Sequence, residues 1–348
     1  MVRVGRRVNA LESRESLSWE LSESRPNRWG EYLMRTEGGF FQSPLGVFVG
    51  APKGRTIYCV LRSGHSVHGI ALGVLAGCRL STRLRHAYFP SLPAIHPPGS
   101  NERALDLLID ALDDQGAADV HFDSFDAGWE LDQARGERER VEFLVSLEDS
   151  AAEILCRFGS GHRRRCRLGE REAWRSNRLV GEDGRAILDA VMGHAVRRAH
   201  DRRGQNYAVS IPELTKEMAT SHRTHSWGAW VTAAYAGEQL LAAALVGVGG
   251  ERGFYVMGGS TPEGYRCGAA IWLQYQIMKE LKEIGCTEYN LGGTPIEAAD
   301  ASSPGHGLYR FKSSFGGARV SRRGRRAVLC LIHASAHRLG AELGRVLR

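Results

Sequence analysis

Late in the 348-residue chain, a glycine pair at Gly292-Gly293 is followed by a polar loop and then by Phe311-Lys312, Phe315 and Gly316-Gly317. A glycine pair lets other groups approach the backbone closely. A lysine set between aromatic residues is a positive charge in a defined place, and the combination marks a candidate site. The alternative is a lysine paired with a carboxylate, with Phe311 and Phe315 serving only as core. Other chemistry is harder to find. No Ser-His-Asp order and no paired carboxylates stand out, so no general base is visible. His306, alone between two glycines, reads as an exposed residue, although imidazole titrates in a useful range. His65-x-x-His68, His222-x-x-His225 and His333-x-x-x-His337 have ligand-like spacing. None has a cysteine or carboxylate partner at a convincing distance, and H-E-x-x-H is absent, so no metal is expected.

Charge gives a second lead. The formal net charge is +7. Residues 319–348 hold eight arginines and one glutamate, and residues 157–178 hold eight arginines, Arg164 and Arg165 among them, against two glutamates. Such patches favour nucleic acid, anionic lipid or phosphorylated substrates; the alternative is a solvated face. Seven cysteines, an odd number without C-x-x-C spacing, speak against a disulfide framework or zinc cluster. The basic N-terminus has no apolar run behind it and no stretch approaches a membrane span, so the expected compartment is a reducing cytoplasm.

The elements that position these residues follow from periodicity. Short apolar runs with turn signals at 40–80 predict strands, and 86–100 reads as a proline-rich loop or irregular strand edge. A helix is expected from Asn101, with Ala104, Leu107, Leu108, Ala111 and Leu112 at helical spacing, followed by a strand over 118–125. In the second half, helices are expected around the glycine break after Phe158 and over RAILDAVMGHAVRRAH. Strands at 229–236, 239–248 and 252–258 turn at Ala236-Gly237-Glu238 and Gly249-Gly250-Glu251. A helix over 269–285 leads into the strand CTEYNLGG. Three antiparallel strands, a helix and another strand make an α+β arrangement rather than a series of parallel βαβ units. The last segment begins as a strand and becomes an amphipathic helix, with Ile332, Ala336, Leu339, Leu343 and Val346 on one side.

Taken together, FYVMGGS, the Trp-bearing helix, YNLGG and GLYRFKSSFGG resemble the second domain of the FemABX peptidyltransferases, a branch of the GNAT superfamily. The resemblance is most specific over 227–317. It extends to LEDSAAEILCRFGSGHRRRCRLG, which is similar to the family's arginine-rich helix opening domain two, and to FFQSPLG, which resembles its F-x-Q-S-x-x-W-G motif. Here the tryptophan of that motif is absent, the family's phosphate-binding lysine has Lys53 as its nearest candidate, off register, and there is no long coiled-coil arm. The resemblance implies two tandem GNAT-like domains, 1–150 and 151–317, with the tail 318–348 returning to the first.

The resemblance further implies an aminoacyltransferase that forms an amide on an amine acceptor, using aminoacyl-tRNA and a cell-wall precursor of peptidoglycan biosynthesis. Such a transfer passes through an oxyanion, and a cation or backbone donor aimed at it is worth about 3–4 kcal/mol. The Lys312 ammonium and the Phe311 backbone would supply it. Gly292-Gly293 and Gly316-Gly317 would line the substrate channel, with Tyr255 facing the substrate and Phe315 also contacting it; core and turn roles are the alternative for the tyrosine and glycines. Arg164, Arg165 and the other arginines would hold tRNA or a nucleotide-sugar pyrophosphate; the C-terminal basic helix packs on the first domain or lies on an anionic membrane. No cofactor and no DNA partner is expected, and proton transfer would be substrate-assisted. A GNAT enzyme using acyl-CoA needs Q/R-x-x-G-x-G/A before a helix to hold pyrophosphate. The corresponding PEGYRCGAAIW has Gly264, Arg266 and Gly268 at the wrong spacing, which disfavours acyl-CoA as donor. Two further alternatives are an acyl-CoA-dependent N-acyltransferase in polysaccharide or secondary-metabolite assembly, and a catalytically silent GNAT-like module binding nucleic acid or lipid.

Overall fold

A computed structural model describes residues 16–46, 54–78, 81–132, 136–203 and 226–329. The C-terminal helix, Lys53 and the pairs His222/His225 and His333/His337 lie outside the described residues.

The first half runs β1 (Ser18–Ser22), α1 (Trp29–Arg35), β2 (Arg55–Ser63), β3 (Ser66–Cys78), β4 (Ser81–Phe89), β5 (Ala94–Ile95), α2 (Asn101–Asp114) and β6 (Ala117–Phe122). Then follow β7 (Glu137–Ser146), α3 (Ala151–Arg157), α4 (Ser160–Arg171), β8 (Arg175–Leu179) and α5 (Gly181–Arg203). The last part comprises β9 (Trp227–Ala236), β10 (Gln239–Gly249), β11 (Arg252–Ser260), α6 (Pro262–Cys267) and α7 (Ala269–Glu283). It ends with β12 (Glu288–Pro295), α8 (His306–Ser313) and β13 (Ala318–Val328).

The strands join into one sheet of order β1-β2-β3-β4-β6-β13-β7-β12-β11-β10-β9-β8, with β5 added beside β3. Two strands make it continuous. β7, which the sequence reading did not anticipate, pairs with β12 although it precedes the whole second half. β13 pairs with β7 over its first part and with β6 over its last, so the chain after α8 returns to the first half through its described residues.

Side-chain alternation explains why helices cover both faces of the second half. Val231, Ala233, Ala243 and Leu245 pack with Leu188 and Val191 of α5. Trp230, Ala234, Ala244 and Val246 pack with Trp272, Leu273, Ile277 and Leu281 of α7, which recur at helical spacing. α3 starts on a capping box between Ser150 and Glu153.

Two stretches differ from expectation for clear reasons. FFQSPLG is not a strand: Phe40–Gln42 forms a 3-10 turn. The Gln42 side chain there donates to Leu92 O at 2.6 Å and accepts from Leu72 N at 3.0 Å, so polar satisfaction of a buried amide sets its shape. Residues 86–89 are regular strand despite the prolines beyond them, because the buried Ala87 and Phe89 alternate in register with β6. The halves meet through Phe40, stacked on Phe254, and Phe41, edge-on to the same ring and beside Phe125.

Candidate active site

β11 and β12 run parallel and pair only through Arg252↔Glu288, Gly253↔Tyr289 and Phe254↔Asn290, after which they part. Two local irregularities open the space between them. On β11, the register to β10 passes from Met257 to Tyr255, leaving Val256 as the extra residue of a bulge beside Tyr255. On β12, the register to β7 shifts between Asn290 and Gly293. Gly292 lies within that shift at φ +69°, a left-handed conformation that side chains resist, and a Cβ there would sit 3.2 Å from Lys312 Nζ. A Cβ on Gly293 would come within 2.6 Å of Arg140 Nε. The glycine pair therefore admits one cation on each side.

Lys312 reaches this point from α8. It is the buried residue of that helix, 6% exposed, and its Nζ donates to Gly293 O at 3.1 Å and lies 5.8 Å from the Tyr255 ring centroid. Burial, reinforced by the Arg140 charge and opposed by Glu142, lowers the Lys312 pKa to about 7. Burial pushes the Tyr255 phenol up to about 12, so it stays protonated.

The helix is fixed by what surrounds its C-terminal turn. His162 of α4 donates from Nε2 to Phe311 O at 3.0 Å, and burial lowers its pKa, favouring the neutral ring. Phe315 is fully buried against Phe158, Phe311 and His162, with ring centroids 5.0, 5.2 and 4.5 Å away. Phe315 thus anchors α8 from the core; with no exposed surface it has no face for substrate, contrary to expectation. Phe311 is the sixth residue of α8, past the first-turn N–H groups that a helix leaves free, so the expected backbone donor there is taken up by the helix. Lys312 Nζ is the donor that reaches the opening.

Arg164 and Arg165 lie apart from this cluster, on α4. Arg164 is exposed, while the Arg165 stem packs against Gly268 at the start of α7. His306 is half-buried rather than exposed, because its Nδ1 donates to Ala298 O at 3.2 Å and its ring stacks on Tyr309. Among the described residues, no three His, Cys, Asp or Glu side chains gather as a metal site.

Beneath the glycines is a buried polar cluster that sequence reasoning missed. Asn290 donates from Nδ2 to Asp126 Oδ1 and Glu142 Oε2, both at 2.9 Å, and its Oδ1 accepts from Gly292 N at 2.7 Å. Arg252 pairs with Asp126 at 2.6 Å; Arg140 and Arg322 stand 3.5 and 3.7 Å from Glu142. Asn290 thus ties the Gly292 turn to two buried carboxylates, themselves matched by arginines. The signal was the alternation in ERERVEF, which places Arg140 and Glu142 on one face of a strand.

Residues 160–313 match the family model described as acetyltransferase (GNAT) domain, a span from the start of α4 to the residue after Lys312. No curated protein sequence matches the chain. The solved structure of FemX is 14% identical with a TM-score of 0.59, the match covering 89% of this chain and 97% of FemX. That of L-PGS from Bacillus licheniformis is 16% identical with a TM-score of 0.51, covering 86% of this chain and 90% of the other. The α+β fold of two GNAT-like halves is shared with these proteins, and no helix among the described residues is long and apolar enough to cross a membrane. Residues 160–313 thus match a GNAT acetyltransferase domain, and the chain shares the fold of FemX.

Proposed function

We propose that the protein transfers an aminoacyl group from aminoacyl-tRNA to an amine acceptor of the cell-wall-precursor type, with Lys312 as the oxyanion cation. The observation that carries this reading is a buried lysine whose Nζ, held by a backbone carbonyl, lies beside Gly292 and the Tyr255 ring where β11 and β12 part. The acceptor nitrogen's lone pair forms the new C–N bond. The carbonyl oxygen takes up negative charge beside the Lys312 ammonium, the C–O bond to the tRNA ribose then breaks, and the nitrogen's proton passes to the leaving oxygen through the substrate. A donor aimed at such an oxygen is worth about 10²–10³ in rate.

Two observations favour tRNA over acyl-CoA as donor. The segment that would hold a CoA pyrophosphate is wound into α6, and the Gly264 N–H is spent on Thr261 Oγ1 at 3.1 Å. α4 presents Arg164, Arg167 and Arg171 at its surface, as contact with a phosphate backbone requires. The test follows label from a mixture of radiolabelled aminoacyl-tRNAs, and separately from acetyl-CoA, to an amine-bearing muropeptide precursor. Transfer from tRNA supports the reading; transfer only from acetyl-CoA overturns the donor assignment.

A further inference from the structure

The N-terminal turn of α4 opens on a pocket of about 500 Å³, whose wall is completed by Tyr265 of α6, Ile271 of α7, and Arg310 and Phe311 of α8. α4 follows Gly159 with no side-chain cap and no acid in its first turn. The Gly159 N–H is taken by Ser314 O at 2.8 Å, and Arg163 N is the first to bond back, to Gly159 O at 3.0 Å. The N–H groups of Ser160, Gly161 and His162 are left without partners among the described residues, three donors at the positive end of a helix.

His162 supplies an independent observation. It is 9% exposed, and it lines this pocket. Its Nε2 carries the hydrogen, because Phe311 O can only accept. Burial keeps the ring neutral, so Nδ1 is a bare lone pair. Nδ1 has no partner among the described residues, yet it is not sealed from solvent as Trp272 Nε1 is. A buried imidazole with one nitrogen satisfied and the other reachable from a cavity asks for a donor from outside.

The rest of the wall narrows the ligand. No carboxylate lines the pocket, and the exposed Arg310 has no ion pair among the described residues. Two carbonyls at the end of α8, Phe311 O and Ser314 O, are already engaged by His162 and Gly159, so neither is a bare acceptor beside the α4 donors. Tyr265 offers a side chain that is 51% exposed, with the Arg198 guanidinium 4.9 Å from the ring centroid. Anion donors, a single acceptor and an aromatic platform together match the phosphate, sugar hydroxyl and base of a ribonucleotide. Inorganic phosphate would leave Nδ1 and the ring unused.

We propose that this pocket holds one ribonucleotide of the donor RNA: its phosphate on the Ser160, Gly161 and His162 N–H groups, its 2′-hydroxyl donating to His162 Nδ1, and its base beside Tyr265. This rests on the reading of tRNA as donor and locates a contact with its single-stranded acceptor end. Phe311, in the wall, directly precedes Lys312, so one helix positions both the pocket and the cation. The same contact separates RNA from DNA, since deoxyribose leaves Nδ1 without its donor.

The test is fluorescence anisotropy on the full chain with a labelled single-stranded RNA tetramer of the tRNA acceptor end, the same sequence as DNA, and coenzyme A as competitor. RNA should bind about tenfold more tightly than DNA, and Ser160→Asp and Tyr265→Ala should each weaken RNA binding about tenfold, the scale of one phosphate or stacking contact. Ser160→Asp repels phosphate but favours the helix, as an acid in a first turn does, and both variants change exposed residues, so folding is kept. RNA and DNA bound alike, RNA binding unchanged in both variants, or coenzyme A bound more tightly than RNA would each overturn the proposal. The predicted RNA binding without transfer from aminoacyl-tRNA would count against the transferase reading alone. Transfer from aminoacyl-tRNA with an unchanged tRNA KM in both variants would count against this inference alone.

Discussion

Among the described residues each half of the molecule contains one parallel strand pair, and the two differ in how they treat charge. In the first half, β4 and β6 shift once beyond Arg85↔Ala117 and then stay in register over four residue pairs from His86↔Asp119 to Phe89↔Phe122. The buried carboxylate on β6, Asp119, is gripped by Arg326 at 2.9 and 2.5 Å and lies 3.3 Å from His86. Burial alone would raise its pKa, but the bonds from His86 and Arg326 win and hold it far below the carboxylate range. In the second half, β11 and β12 separate after three pairs, and the buried cation at the gap has a single hydrogen-bond partner among the described residues, a backbone carbonyl. The same arrangement is closed and internally neutralised in one place, open and electrostatically unsatisfied in the other. A buried charge kept without a counter-ion costs stability, and chains retain that cost where chemistry needs it.

The largest expected effect concerns the open pair. Lys312→Met lowers kcat by about 10²–10³, read by transfer assay, whereas Asp119→Asn in the closed pair leaves kcat within about twofold. Asp119→Asn should instead destabilise the fold by about 3 kcal/mol in urea unfolding, since it removes the buried carboxylate that holds Arg326 by two hydrogen bonds. If both variants lost activity in proportion to stability, the contrast between the two halves would collapse.

Smaller effects sharpen it. Gly292→Ala places a side chain at φ +69° and 3.2 Å from Lys312 Nζ, so it should cost about 1–2 kcal/mol in stability and lower kcat beyond that loss. The pH dependence of kcat assigns the lysine's working form. With a pKa of about 7, a catalytic ammonium is lost as pH rises through 7, and kcat falls about tenfold per unit above it. Lys312→Arg should flatten that limb; a rate rising through pH 7 would make Lys312 a base instead.

The smallest effect is on stability. The folded-state pKa of Lys312 lies below its unfolded value near 10.4, so between about 7 and 10.4 the unfolded chain binds more protons and stability rises with pH. Lys312→Met, free of that burden, should gain about 0.5–2 kcal/mol, most clearly below pH 7, in thermal unfolding.

Much of the second half was legible because its signals are local. The turns Ala236-Gly237-Glu238 and Gly249-Gly250-Glu251 marked β9 and β10, a helix was expected over 269–285 where α7 lies, and the glycine pair with Phe311-Lys312 marked the candidate site. What was missed depends on long-range pairing. β7 reads as a charged ribbon until β12 and β13 flank it, and Arg140 gains meaning only where Gly293 has no side chain to exclude it. Phe315 was expected to contact substrate because its motif is polar and glycine-rich, yet Phe158 just past α3, His162 of α4 and Phe311 of α8 bury it. Gln42 misled in the same way, its amide being satisfied by residues 30 and 50 positions away.

The most direct test of the central claim is single-turnover transfer from aminoacyl-tRNA to an amine acceptor, at pH 6.5 as a chosen condition, by wild type, Lys312→Met and Asp119→Asn. The account predicts label in amide linkage from wild type and Asp119→Asn at similar rates, and a loss of about 10²–10³ in folded Lys312→Met. Transfer by Lys312→Met at the wild-type rate would contradict it.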